Sequence, residues 1–231
     1  MTGWLPFALA FAAFFASHAV PARPPVRRRL VALMGERGYL AAYVGMSLLV
    51  LAWLIVEAGR APYVGLWSFA PWQLWVPNLA MPVVCLLAAF GTAAPNPFSF
   101  GGRAVHRFDP EAPGIAGLTR HPLLWALALW SLAHLVPNGD LAHALLFGVF
   151  AGFALLGMRM LDRRARRRMG EAEWRRLAAR TSLLPGAALL SGRWRPAAPP
   201  QAGRLAIAAA AWALLLALHP AVIGVSPLPL W

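Results

Sequence analysis

Apolar residues run along this chain in blocks, separated by short stretches of arginine, proline and glycine. A helix that crosses a bilayer needs about 20 mostly apolar residues. Six stretches approach that length: 4–20, 39–57, 74–91, 119–137, 140–161 and 205–222. The pattern predicts an all-α integral membrane protein of about six transmembrane helices. The whole chain, 1–231, reads as one transmembrane domain. Pro21, Pro24 and Pro25 should stop or kink the chain after the first stretch. Pro137-Asn138-Gly139-Asp140 is a turn signal, with Asp140 as a candidate N-cap. The fourth and fifth helices should therefore form a tight antiparallel hairpin.

One polar segment interrupts the pattern. Residues 162–204 form a cytoplasmic amphipathic segment and linker, and 162–184 has helical character. Met169, Trp174, Leu177 and Ala178 can share one apolar face there. Two readings of 162–184 stand: a surface anchor that signals topology, or a lid over a site between helices.

Composition strengthens the membrane reading. The chain is 60% hydrophobic and 13% charged, with 11 Trp and 12 Phe. Soluble domains carry roughly 25% charged residues. The formal net charge is +13, and all 21 basic residues are arginine. The arginines lie beside the apolar runs, which points to a bilayer with anionic headgroups and not to nucleic acid. Arg23, Arg27, Arg28, Arg29 and Arg37 fall after the first run, read as a loop, and eleven arginines follow the fifth. The positive-inside rule then puts both termini on the periplasmic face. No arginine precedes the first apolar run, so that run reads as a retained helix and not as a signal peptide. Cys85 is the one cysteine and excludes an intramolecular disulfide and a cysteine-based metal site.

Six histidines are the main candidates for chemistry. His106 falls in a polar loop, and the rest lie in or at the ends of apolar runs. Ionisable groups at that depth are costly, so a functional role is the default hypothesis. His18 and His121 sit near cytoplasmic ends, and His134, His143 and His219 near outer ends. His121 and His134 are 13 residues apart, about 20 Å along a helix, so they cannot serve one small site. Arg120 and His121 precede Pro122 at a helix start, where an anion can be held. His134 and His143 flank the turn, and two facing imidazoles are a common way to hold haem b. Hydrolase elbows, P-loops and H-E-x-x-H are absent from the sequence.

The segments FFASHAVPA, GERGYLAAY, PNPFS, TRHPLLW, LAH, LDRRARRRMGEAEWRRLAARTSLLP and HPAVIG together resemble the NnrU family of bacterial membrane proteins. That family is similar to the 15-cis-zeta-carotene isomerases. The resemblance implies a bacterial inner-membrane protein linked to denitrification, in support of nitrite and nitric oxide reduction, or a haem b enzyme that isomerises a lipid-soluble polyene. A lipophilic substrate or a respiratory protein is the partner it implies, and a non-catalytic accessory protein for respiratory enzymes stands as an alternative to an enzyme. It also implies His18 and His134 as haem ligands, with Ser131 where the isomerases carry a cysteine. Depth along the helices leaves His143 and His219 open as alternative partners of His134. A second likeness is to isoprenylcysteine-type membrane methyltransferases, which use S-adenosylmethionine. It rests on Arg120, His121 and the 162–185 segment.

Overall fold

In the computed structural model the described residues are 3–103 and 105–229. The helices are α1 Trp4–Ala19, α2 Pro24–Arg60, α3 Trp75–Gly91, α4 Ile115–Leu118, α5 Pro122–Leu135, α6 Leu141–Met169, α7 Glu171–Ala178, α8 Ala187–Leu190 and α9 Ala202–Ile223. Short 3-10 turns cover Pro71–Leu74 and Val105–Arg107, and no strand occurs among the described residues. The all-α membrane class is the observed one. α2, α6, α9 and the run Pro71–Gly91 are long and apolar enough to cross a bilayer. The first and fourth expected spans correspond to the shorter apolar helices α1 and α5, of 16 and 14 residues.

The chain divides into two compact units, Met1–Ser68 with Gly139–Leu146, and Phe69–Asn138 with Phe147–Trp231. In the first unit, α1 packs on α2. The arginine-bearing stretch expected as a loop is instead helical and joins the second span in α2. Pro24 and Pro25 occupy the first turn, where a missing N–H costs nothing. The first helix stops at Ala19, ahead of the prolines as expected, and a second break falls at Gly35, whose φ of 73° is open to glycine. Asp140 is the N-cap expected: its carboxylate accepts from the backbone N–H of His143 at 3.1 Å. Gly139 meets the 64–67 segment so closely that a Cβ would lie 2.1 Å from the Trp67 carbonyl oxygen.

In the second unit, α3 packs against α5 and α9. Val84 and Leu87 of α3 meet Ala126 of α5 in one buried cluster. Leu124 and Ala128 of α5 meet Met158 and Ala154 of α6 in another. The reversed order of those pairs is the antiparallel hairpin the turn signal predicts. Arg204, near the start of α9, donates to the Ala89 and Thr92 carbonyls at the end of α3. These are the carbonyls a helix C-terminus leaves without partners. The segment 162–184 is not one helix. Gly170, at φ 84°, separates the end of α6 from α7. Its apolar face is nonetheless the one expected. Trp174 and Ala178 are buried with Phe98 and Ala165, and Met169 and Leu177 pack on them.

Candidate functional site

Residues 119–121 depart from helix and are bonded to a second non-helical stretch, 181–186. The Arg120 N–H donates to the Ser182 carbonyl at 2.8 Å, and the Gly186 N–H to the Leu118 carbonyl at 2.9 Å. Thr119 Oγ1 and Trp125 Nε1 both donate to the Leu183 carbonyl, at 3.0 and 2.8 Å. Asn96 Nδ2 donates to the Arg120 carbonyl at 2.9 Å. The backbone ahead of α5 is thus fixed from both sides, by backbone and side-chain bonds together.

On this frame sits a buried ionic cluster. Arg120 and Asp162 are each 8% exposed, and His121 and Thr181 are fully buried. The Arg120 guanidinium grips Asp162 with two parallel bonds, Nε to Oδ1 at 3.1 Å and Nη2 to Oδ2 at 2.6 Å. Its Nη1 donates to Thr181 Oγ1 at 3.3 Å. His121 Nε2 lies 3.0 Å from Asp162 Oδ1, so a proton on Nε2 completes that bond. The His121 Nδ1 atom has no partner among the described residues. The ring of Trp174 lies 5.3 Å from the Arg120 guanidinium and 3.8 Å from that of Arg166. A two-bond arginine–carboxylate pair is among the stronger contacts a protein interior can hold. Here it joins α5, α6 and the 181–183 stretch at one point.

The sequence reading singles out Arg120 and His121 but places them at headgroup level, with an anion to be supplied from outside. The structure buries them, and the anion is Asp162 of the chain itself. Sequence reasoning misses that residue because it stands in a run of arginines. A signal for it exists: Asp162 follows Ala154 and Met158 at four-residue steps and precedes Ala165 by three. All four are buried on one face of α6.

The imidazoles named as haem ligands share a different feature. His18 Nδ1 is bonded to the Phe14 carbonyl at 2.7 Å, and His134 Nδ1 to the Trp130 carbonyl at 2.8 Å. His219 Nδ1 is bonded to the Val225 carbonyl at 2.8 Å, and His143 Nδ1 to Asp140 Oδ2 at 2.7 Å. A carbonyl acceptor fixes the proton on Nδ1 and leaves the Nε2 lone pair for a metal. His18, His134 and His219, held through Nδ1 by a carbonyl, are therefore of a kind that would hold a haem iron through Nε2. His134 lies 5.5 Å from the Trp130 ring and 5.6 Å from that of Phe147. Ser131 is buried and donates to the Leu127 carbonyl at 2.8 Å. No group of three or more His, Cys, Asp or Glu that could hold a bare metal ion occurs among the described residues.

The NnrU protein family model matches residues 6–227. The 15-cis-zeta-carotene isomerase, chloroplastic, of Arabidopsis thaliana is 31% identical over 170 residues, which is 70% of this chain and 44% of that protein. The chain thus spans less than half of the length of this curated relative. No solved structure matches. With a family match over nearly its whole length, and an isomerase relative alongside it, the chain belongs to the NnrU protein family.

Proposed function

We propose that the protein binds haem b in the membrane, where His134 would hold the iron, and acts on the double-bond geometry of a lipid-soluble polyene. The observation that carries this reading is the His134 imidazole, held by the Trp130 carbonyl with Nε2 left as the coordinating nitrogen. His18 is the family-implied second ligand and is held the same way. His219 and His143 are the alternatives. When bound, the haem supplies a redox-active iron that can perturb a conjugated double bond. The chain's own part is to orient the imidazole and keep water away. Trp130, with Phe147 and Phe150 at 5.3 and 6.0 Å, builds the apolar wall beside His134.

Ser131 favours one further reading. A hydroxyl cannot serve as the thiolate in a redox-driven ligand exchange, and this one is engaged by the Leu127 carbonyl. A haem with fixed ligands suits a response to nitric oxide in support of nitrite and nitric oxide reduction. Arg120 and His121, on which the S-adenosylmethionine reading relies, are already engaged by Asp162.

The test is an absorption spectrum of the detergent-purified protein, oxidised and then dithionite-reduced, with and without nitric oxide. A Soret band with sharp reduced bands is expected, and His134→Ala should lose most of it. Unchanged haem content in that variant would remove His134 from the ligand set. A colourless protein after expression with added haem would overturn the cofactor. Turnover of a cis-polyene separates the isomerase from the nitric oxide reading.

The arginine distribution supports an inner-membrane orientation with 162–204 in the cytoplasm and both ends of the chain on the opposite face. A reporter active only outside the cytoplasm should be silent after Ala198 and active after Pro227. The reverse pattern would overturn the orientation.

A further inference from the structure

We propose that the exposed face of α6 from Phe153 to Arg167 is a binding surface for anionic phospholipid headgroups. Two faces of this helix are distinguished by burial. Ala154, Met158, Asp162 and Ala165 are buried on one. Opposite them, Phe153, Leu156 and Met160 are 55%, 59% and 66% exposed. Continued at helical spacing, that same apolar stripe runs into Arg163, Arg164 and Arg167, all exposed. The helix therefore changes from lipid-facing to cationic along one uninterrupted face.

Charge on this face is uncompensated. Among the described residues, Arg163, Arg164 and Arg167 have no hydrogen-bond or ion-pair partner. Their neighbours in the same basic segment do. Arg168 donates to the Pro97 carbonyl. Arg175 and Arg176 pair with Glu171 and Glu173, and Arg180 pairs with Glu111. Arg166 stacks on the Trp174 ring, and Arg159, one turn earlier on α6, is exposed and without a hydrogen-bond or ion-pair partner among the described residues as well. From Arg163 to Arg167 the helix rises about 6 Å, close to the roughly 5–7 Å depth of one headgroup layer. The apolar stripe fixes the depth of the helix in the acyl region. The three guanidiniums then fall where lipid phosphates lie, and guanidinium binds phosphate through two parallel hydrogen bonds.

The experiment measures lipid retention by the full-length protein, purified in neutral detergent and mixed with phosphatidylglycerol or phosphatidylcholine. Native mass spectrometry reads the bound lipid. Wild-type protein should retain phosphatidylglycerol over phosphatidylcholine, and added salt should weaken the preference. Each arginine near the surface contributes roughly fivefold. The R163Q/R164Q/R167Q variant should therefore weaken phosphatidylglycerol retention by more than roughly tenfold. The R175Q/R176Q variant, which removes two arginines already paired with glutamates, should retain it. An R163K/R164K/R167K variant should restore part of the preference, and far-ultraviolet circular dichroism should show all variants equally helical. Equal retention of the two lipids by wild type would overturn the proposal. So would a glutamine triple variant within roughly twofold of wild type, or equal loss in R175Q/R176Q.

Discussion

Alanine in place of Asp162 should destabilise the folded protein by about 3–5 kcal/mol, the cost of leaving a buried charge without its partner. The Arg120 guanidinium is 9% exposed and takes both carboxylate oxygens. Without them it keeps only the Thr181 hydroxyl as an acceptor among the described residues. The same change leaves the His121 Nε2–H without an acceptor inside a fully buried ring. In a chain of this length each kcal/mol moves Tm by about 2–4 °C, so thermal unfolding in detergent should fall by about 10 °C. The Asp162→Asn variant would keep an oxygen for His121 but not the charge for Arg120, and should fall between wild type and alanine. The double replacement Arg120→Met with Asp162→Leu removes both charges, and should cost less than Asp162→Ala alone. A drop below about 2 °C for Asp162→Ala, or a double variant worse than the single, would show that the pair does not hold the site together.

This cluster also marks the boundary between what the sequence discloses and what it does not. The apolar runs are legible because membrane helices announce themselves by length. The Asp140 cap and the α5–α6 hairpin are legible because turns and caps are local. The buried face of α7 is legible from the 3.6-residue spacing of Trp174, Leu177 and Ala178. Arg120, His121 and Asp162 are a different case. Each partner lies about 40 residues away in the chain, and each looks like surface in its own neighbourhood. An arginine beside an apolar run reads as a headgroup contact, and an aspartate among five arginines reads as part of a solvated patch. Only the register of Asp162 with Ala154, Met158 and Ala165 on α6 betrays it. The helical stretch from Pro24 to Met34 is hidden for a related reason: proline and arginine read as loop, although a proline pair is well placed in a helix's first turn. The haem-ligand candidates stand between these cases. Their i−4 bonds to Phe14 and Trp130 follow from helix geometry alone, whereas their pairing across helices depends on the bound group.

Trp174 tests whether α7 is a structural part of the site or a detachable cover. Trp174→Ala should cost about 3–5 kcal/mol, as for other large aromatic truncations in a core. The indole is 9% exposed and packs with Phe98, Ala165 and Ala178, with Phe108, Met169 and Leu177 around them. It also presents its ring to the Arg120 and Arg166 guanidiniums. Truncation empties the cluster and removes both cation–π contacts, one of them to the buried arginine of the ionic cluster. Trp174→Phe separates the contributions. The indole N–H has no hydrogen-bond partner among the described residues, so phenylalanine forfeits no bond there. It retains an aromatic face for both guanidiniums and should cost no more than about 1.5 kcal/mol. Tm measurements on the two variants, with Asp162→Ala as a third and the double Trp174→Ala/Asp162→Ala as a fourth, give the coupling directly. Because Arg120 touches both Trp174 and Asp162, the two losses should overlap, with the double variant less destabilised than the sum by at least about 0.5 kcal/mol. Strict additivity, or a Trp174→Ala variant as stable as wild type, would make α7 a cover resting on the cluster and not one of its walls.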